Sequence, residues 1–573
     1  MARRIILRLE LSQLFPKEKG KKLEDFLKGV SRERVIKSGS YFTGFAKGQA
    51  VVRNNVDLLN KWFSPDNRPF AFEILKAIYL LKRQGIESTI VNIHTSLRLI
   101  EQGLNHQSDD TMDSLEFEKN IFKAYVLLNE TDNEKDIGIF QSLEKQQDDI
   151  KFPLMVLTQS FRYSDISVVN YREVLAEQFL KAALFFKFIE SLHPKILEEF
   201  LKYYKVATWR GYLEKIFLLV KLCTANNKKS GFTEITIKKD QHYEENVEFI
   251  EKLSFTSESE EMKLSDFVSL RSKPLIKIKD NSYRLIYDLF VLEKVFNSIF
   301  FVLKEIPALN KLNLKEIFTY QFSEKVLLYQ ILNKVFSHSD VRFTGEQLDK
   351  MRVSGAPDYY VRRSKKVLLF ESKDIVLNAD LKESTSYTLY EEQIRKKLYY
   401  DVQDGKKKPK AVLQLISNVF KVIQDQNPFD HATKGERIYP IIVVHHRQLN
   451  VGGLNHLLKK WFMEELENLK NSGLETKRVA QLTVLNIASL IYFSDELSTR
   501  KHSLEGLIEL YHRQTSLRHK KTVTSYNDLE STLIKRTEPF NLFIAKRIKS
   551  KGMPSVLMKN AREVFKKKKS NIR

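Results

Sequence analysis

Over roughly the first 230 residues, apolar side chains recur three and four positions apart, the spacing that collects them on one face of a helix. The clearest runs are Phe72-Glu-Ile-Leu-Lys-Ala-Ile-Tyr-Leu-Leu-Lys82 and Val174-Leu-Ala-Glu-Gln-Phe-Leu-Lys-Ala-Ala-Leu-Phe-Phe186. Strand signals are almost absent there, and no fixed-period repeat is present. After a polar, acidic stretch, Thr256-Ser-Glu-Ser-Glu-Glu261, two short alternating runs, 273–279 and 282–287, bracket Asp280-Asn281. They predict a hairpin leading into a buried helix from Leu289 to Lys304. From about residue 314 a helix gives way to strand-like runs, further helix, and the strand Ile438-Tyr-Pro-Ile-Ile-Val-Val444. That mixture predicts an α/β unit of roughly 130 residues. Helical periodicity resumes at Gly453, with one further strand predicted within 479–487. The expected organisation is a helical region 1–235, a connector 236–313, an α/β core 314–450 and a helical, basic region 451–573.

Composition sharpens this picture. Glycine (19) and proline (13) are scarce among 573 residues, as suits a mainly α, multidomain chain with few tight turns. The single cysteine, Cys223, excludes an intrachain disulfide and predicts a buried thiol in a reducing, cytoplasmic setting. Arg8 and Glu10 interrupt the opening apolar run, so no signal peptide is expected. The apolar stretch Val295 to Leu303 falls well short of the ~18 residues of a membrane span. The net charge of +23 favours a polyanionic partner, through release of counterions from neutralised phosphates. From Tyr511 to Arg573 there are 17 basic residues against 4 acidic ones, ending in Lys566-Lys-Lys-Lys569.

Candidate chemistry concentrates in Gly355-Ala-Pro-Asp-Tyr-Tyr-Val-Arg-Arg-Ser-Lys-Lys-Val-Leu-Leu-Phe-Glu-Ser-Lys373. Two extended runs flank Ser364-Lys365. If that pair forms the turn, Asp358 lies opposite Glu371, with Cβ atoms about 4.5–5.5 Å apart. Lys373, two residues on, points to the same face. Two facing carboxylates repel unless a proton or cation lies between them, and Mg²⁺ or Mn²⁺ would resolve this with oxygen ligands. Val367 and Leu369 share the face of Glu371; Leu368 and Phe370 occupy the other. Apolar residues on both faces predict a central strand with the charges at the sheet rim.

With Pro357-Asp358 and Glu371-Ser372-Lys373, the region 315–450 resembles the PD-(D/E)xK, or restriction-endonuclease-like, nuclease superfamily. That family's core runs helix, three-stranded meander, helix, strand. The resemblance implies a mixed sheet flanked by helices, with Asp358, Glu371 and Lys373 as catalytic residues and the two acids as metal ligands. It also implies a helix acid as a further ligand. Glu324 is the candidate, in the first turn of a helix 322–336 capped by Ser323 and stapled by Phe322 and Leu327; Glu316 is its rival. Gln414, on a second helix 410–423 with Asn418 on the same face, matches the glutamine that many relatives carry to the site.

The run Lys406-Lys-Lys-Pro-Lys410 is expected as a loop whose Lys406, Lys407, Lys408 and Lys410 contact phosphates. His445-His446 sit at the end of a strand, where adjacent side chains point to opposite faces, so joint metal ligation is not expected. The implied function is a metal-dependent nuclease acting on nucleic acid, DNA favoured over RNA, with a role in restriction or defence drawn from the architecture. The helical flanks are candidates for contacting a protein partner. The alternative is a non-catalytic nucleic-acid-binding or assembly protein with a nuclease-like core.

Overall fold

A computed structural model describes residues 7–46, 54–146, 148–167, 170–224, 233–255, 267–431, 435–516, 526–550 and 552–565. The acidic stretch 256–261 and the lysine run 566–569 lie outside the described residues. The chain is mainly α-helical with several small sheets, and among the described residues no helix is long and apolar enough to cross a membrane.

The two helices expected from periodicity form, with different surroundings. Arg68–Arg83 buries Ala71 and Ile74 but leaves Phe72, Tyr79 and Leu80 exposed. Its apolar residues therefore extend beyond the single core-facing stripe that the spacing predicts. Tyr171–Leu192 (α1) is instead buried nearly all round, including Glu177, Gln178 and Lys181. A helix apolar on every side belongs inside a large core, and α1 is the axis of this one.

In the connector the hairpin forms as Leu275–Lys279 and Ser282–Leu285. Glu234–Thr236 and Ser254–Phe255 flank it in a four-stranded sheet. The single helix expected over 289–304 is instead two, Asp288–Glu293 and Ile299–Glu305. At the break, the Asn297 amide donates to Gln178 Oε1 (3.0 Å) on α1, a tertiary bond that replaces an intrahelical one.

Residues 314–335 make one continuous helical run, α2: an α-turn at Leu314–Glu316, a π-helical stretch Ile317–Leu328, then Tyr329–Val335. Asn313 caps it, accepting from the Glu316 amide at 3.2 Å. The predicted start at Ser323 is therefore incorrect. Ser323 lies within the run, its hydroxyl donating to Asp374 Oδ2 (2.6 Å). The Ser323 cap and the Phe322–Leu327 staple give way to burial of all three side chains in the core.

Beyond α2 come Val341–Thr344 (β1), Gly345–Lys350 (α3), Tyr359–Arg363 (β2) and Lys366–Lys373 (β3). Then follow Tyr387–Leu398 (α4), Ala411–Ile423 (α5), Arg437–Val444 (β4), Leu454–Asn471 (α6) and Thr483–Asn486 (β5). The strands form one mixed sheet in the order β5-β4-β3-β2-β1. β1, β2 and β3 are an antiparallel meander, while β4 runs parallel to both β3 and β5. The residues beyond 450 thus complete the sheet.

Strand β3 is central and covered on both faces. Leu368 and Phe370 join a core that reaches from Leu9 to Val564 through α1 and α2. Val367 and Leu369 face a second core containing Leu415 and Val419 of α5 and Leu458 and Trp461 of α6. Two-sided burial explains the unbroken apolar run from 367 to 370. The lysine run expected as a loop is instead the exposed strand Lys406–Pro409, paired with Tyr400–Gln403 in a separate hairpin. Its turn uses Asp404 and Gly405, both at positive φ.

Candidate functional site

The hairpin register places the acids as the alternation predicts. Tyr359 pairs with Phe370 and Arg363 with Lys366, so Ser364-Lys365 is the turn and Asp358 falls one step beyond the last pair, opposite Glu371. Ser364 takes φ +52°, a left-handed conformation without the freedom of glycine. The Asp340 carboxylate, accepting from the Ser364 amide, holds it there. Arg362 grips Asp430 through Nε and Nη2 (2.7–3.0 Å), which ties β2 to the segment entering β4.

Two contacts fix Asp358. The Ser372 amide donates to its Oδ2 at 2.6 Å. The Gly345 amide, at the start of α3, donates to its backbone oxygen at 2.8 Å. Upstream, Lys421 Nζ on α5 donates to the carbonyl oxygens of Ser354 and Gly355 (2.5 and 3.0 Å), anchoring the loop that delivers Pro357-Asp358.

Glu371 has no exposed surface, whereas Asp358 and Lys373 are partly exposed. Lys373 Nζ donates to Glu371 Oε2 at 3.3 Å, while Glu371 Oε1 is buried without a hydrogen-bond partner. Burial and the Asp358 charge hold the Glu371 carboxyl well above the usual range. Burial likewise raises Asp358, against the pull of Lys373 and the Ser372 amide. Burial alone would lower the Lys373 ammonium, but the surrounding Glu371, Asp358 and Glu324 raise it, so it stays charged.

Glu324 also lies at this cluster, on α2. Burial and the Asp358 charge push it up to about 8. Its Oε1 accepts from Tyr329 Oη (3.2 Å), which in turn accepts from the Glu346 amide (3.3 Å). Glu324 is thus engaged by Tyr329, and among the described residues no group of three or more His, Cys, Asp or Glu side chains, the expected set Asp358, Glu371 and Glu324 included, is placed to hold a metal ion. The rival Glu316 is exposed in the first turn of α2, accepting from Asn313, and takes no part in the cluster.

Gln414 lies on α5, the helix packed on β3, and its Oε1 is buried without a partner. Asn418 on the same face bonds back to the Gln414 carbonyl at 3.0 Å. Lys406, Lys407 and Lys408 sit on a separate exposed hairpin, where Lys407 stacks over Tyr400 (4.7 Å) and Lys408 donates to Gln403 (3.2 Å). Lys410 precedes α5, its amide donating to Tyr399.

The donor set fits a hard divalent cation. Asp358 and Glu371 face each other, offer only oxygens, and leave one buried oxygen unsatisfied. Mg²⁺ commonly takes one or two carboxylates and completes its octahedron with water and phosphate oxygens. Four further groups adjoin this site beyond the residues expected to carry its chemistry: Tyr329, Gly345, Ser372 and His445. Strand parity alone places Ser372 and His445 behind the acids. Tyr329 and Gly345 carry no such signal, because their approach depends on how α2 and α3 pack. No protein-family model, curated protein or solved structure matches this chain.

Proposed function

We propose that the chain is a metal-dependent nuclease of the PD-(D/E)xK type, hydrolysing phosphodiester bonds, with DNA favoured over RNA. The observation that carries this reading is the pairing of Asp358 with a fully buried Glu371 beside Lys373 at one end of the central strand. Burying two like charges together costs several kcal/mol unless a cation or proton compensates. A purely structural ion pair needs one acid, and a phosphate-binding surface gains nothing from two. The element order of 314–444 (helix, antiparallel meander, helices, parallel strand) supports the same reading, as does the charge of +23.

Asp358 and Glu371 would hold Mg²⁺ or Mn²⁺, with Glu324 adjoining them. When bound, the ion acidifies water and offsets charge building on the phosphoryl oxygens. Lys373, charged and partly exposed, donates to a phosphate oxygen on the solvent side of the cluster, where Asp358 is also accessible. Gln414 lies on the helix packed over β3, and Glu324 accepts a hydrogen bond from Tyr329 Oη. The excess of Lys and Arg supplies backbone affinity that is independent of sequence. A role in restriction or defence against foreign DNA is part of the proposal and rests on architecture.

The test is cleavage of plasmid, single-stranded DNA and RNA with Mg²⁺, Mn²⁺ or EDTA, comparing wild type with Asp358→Ala and Lys373→Ala. Cation-dependent cleavage should fall at least 100-fold in both variants. Products that are the same for all three proteins would remove the enzymatic reading.

A further inference from the structure

Strand alternation turns Ser372 away from Glu371 and Lys373, toward α1 and α2. There its hydroxyl shares a 2.8 Å hydrogen bond with Nε2 of His445, one residue past the end of β4. His445 is 3% exposed. Its amide donates to the Lys373 carbonyl (3.3 Å), and its own carbonyl accepts from Lys181 Nζ of α1 (2.9 Å). Lys181 in turn pairs with the buried Glu177. One residue thus engages the strand end at two successive positions and is itself fixed to the central helix.

The other ring nitrogen, Nδ1, is buried without a hydrogen-bond partner. A buried unpaired polar atom is destabilising, and an apolar side chain of similar size would fill the same space without it. The contact with Ser372 is the one thing the imidazole does that leucine would not. Ser372 is also the residue whose amide holds Asp358 Oδ2.

We infer that His445 is a positioning residue for the acid pair: by clamping the Ser372 hydroxyl it fixes the orientation of the Ser372 peptide and hence the placement of Asp358 opposite Glu371. This rests on the reading of Asp358 and Glu371 as a cation site. Groups that orient metal ligands from behind typically matter 10–100-fold in affinity or activity.

The test is calorimetric titration of the full chain with Mn²⁺, with a thermal melt of each protein alongside. It compares wild type, Asp358→Ala, Ser372→Ala, His445→Leu, His445→Gln and the Ser372→Ala/His445→Leu pair. Ser372→Ala and His445→Leu should each weaken Mn²⁺ binding about 10–100-fold. The pair should be no worse than either alone, and His445→Gln, whose amide reaches where Nε2 stood, should recover most of the loss. Ser372→Ala removes a single oxygen, so it carries the test if His445→Leu does not fold. Wild-type affinity in Ser372→Ala or His445→Leu, or losses that multiply in the pair, would overturn the positioning role. Wild type binding no more Mn²⁺ than Asp358→Ala would overturn the cation site itself, and the inference with it.

Discussion

At the scale of single residues, the site was legible where strand alternation governs and illegible where packing does. Side-chain parity fixes which face Asp358, Glu371 and Lys373 share, and the two-residue turn at Ser364-Lys365 sets their register. Ser323 was misread because a serine before an acid looks like a helix start, whereas here Asp374 accepts its hydroxyl from within a continuous helix. Gly345 gave no signal because its role is steric. A Cβ there would lie 3.2 Å from the Asp358 carbonyl oxygen, 3.3 Å from its Cα and 3.1 Å from Tyr329 Oη. Two of those three atoms are backbone or Cα, so the segment carrying Asp358 must give way. Gly345→Ala should cost about 1–3 kcal/mol by overpacking and reduce cleavage at least 10-fold through misplacement of Asp358. Thermal melting and single-turnover cleavage measure the two effects, and a variant that both melts and cuts like wild type would contradict this account.

At the scale of elements, periodicity located most helices and strands but missed features set by contacts between them. The break at 294–298 follows from Gln178 accepting the Asn297 amide, a partner 119 residues away. The hairpin carrying Lys406–Pro409 was hidden because consecutive lysines have no alternation to read. The turn into α6 was readable, since Gly452-Gly453 precedes an apolar periodic run. What the sequence does not show is why both must be small. Gly453 takes φ +81°, and a Cβ there would meet the Pro153 carbonyl oxygen at 2.0 Å and the Leu157 Cβ at 3.0 Å. Its amide meanwhile donates to the Thr537 carbonyl at 3.1 Å. Two segments distant in sequence converge on this one backbone. Gly453→Ala should therefore destabilise the protein by about 3 kcal/mol, the sum of left-handed strain and backbone overlap. Denaturant unfolding would register this as a lower midpoint with an unchanged slope. An unaltered midpoint would mean that the helix 148–163 does not pack against α6 this closely.

For the whole molecule, the helical class and the order of elements were legible, but the continuity of the core was not. One cluster runs from Leu9 to Val564 and includes Leu368 and Phe370 of the central strand together with residues of α1 and α2. Histidines lie at several of the junctions, with His94, His445, His456 and His512 buried and His446 half-buried. His94 meets Asp132, His445 and His446 lie where β4 ends, His456 of α6 bonds the Thr515 carbonyl of the helix Leu504–Thr515, and His512 of that helix bonds the Thr483 hydroxyl of β5. Burial is the first cause of depression in each: His445, His446 and His456 are brought down to about 4 and His512 to about 3, while His94 is lowered against the pull of Asp132. In the unfolded chain all five would titrate near 6.5. As pH falls through 6.5 the unfolded chain takes up protons that the folded chain refuses until about 4, so stability is full above 6.5 and declines steadily toward 4. The melting midpoint should drop across this window, where most carboxylates are still ionised. His456→Gln with His512→Gln should flatten the dependence, unfolding at pH 5 with about two fewer protons taken up. The slope of stability against pH decides the matter, since it is independent of any constant loss from the substitutions themselves. Equal slopes for variant and wild type would show that these imidazoles are not held neutral in the folded protein.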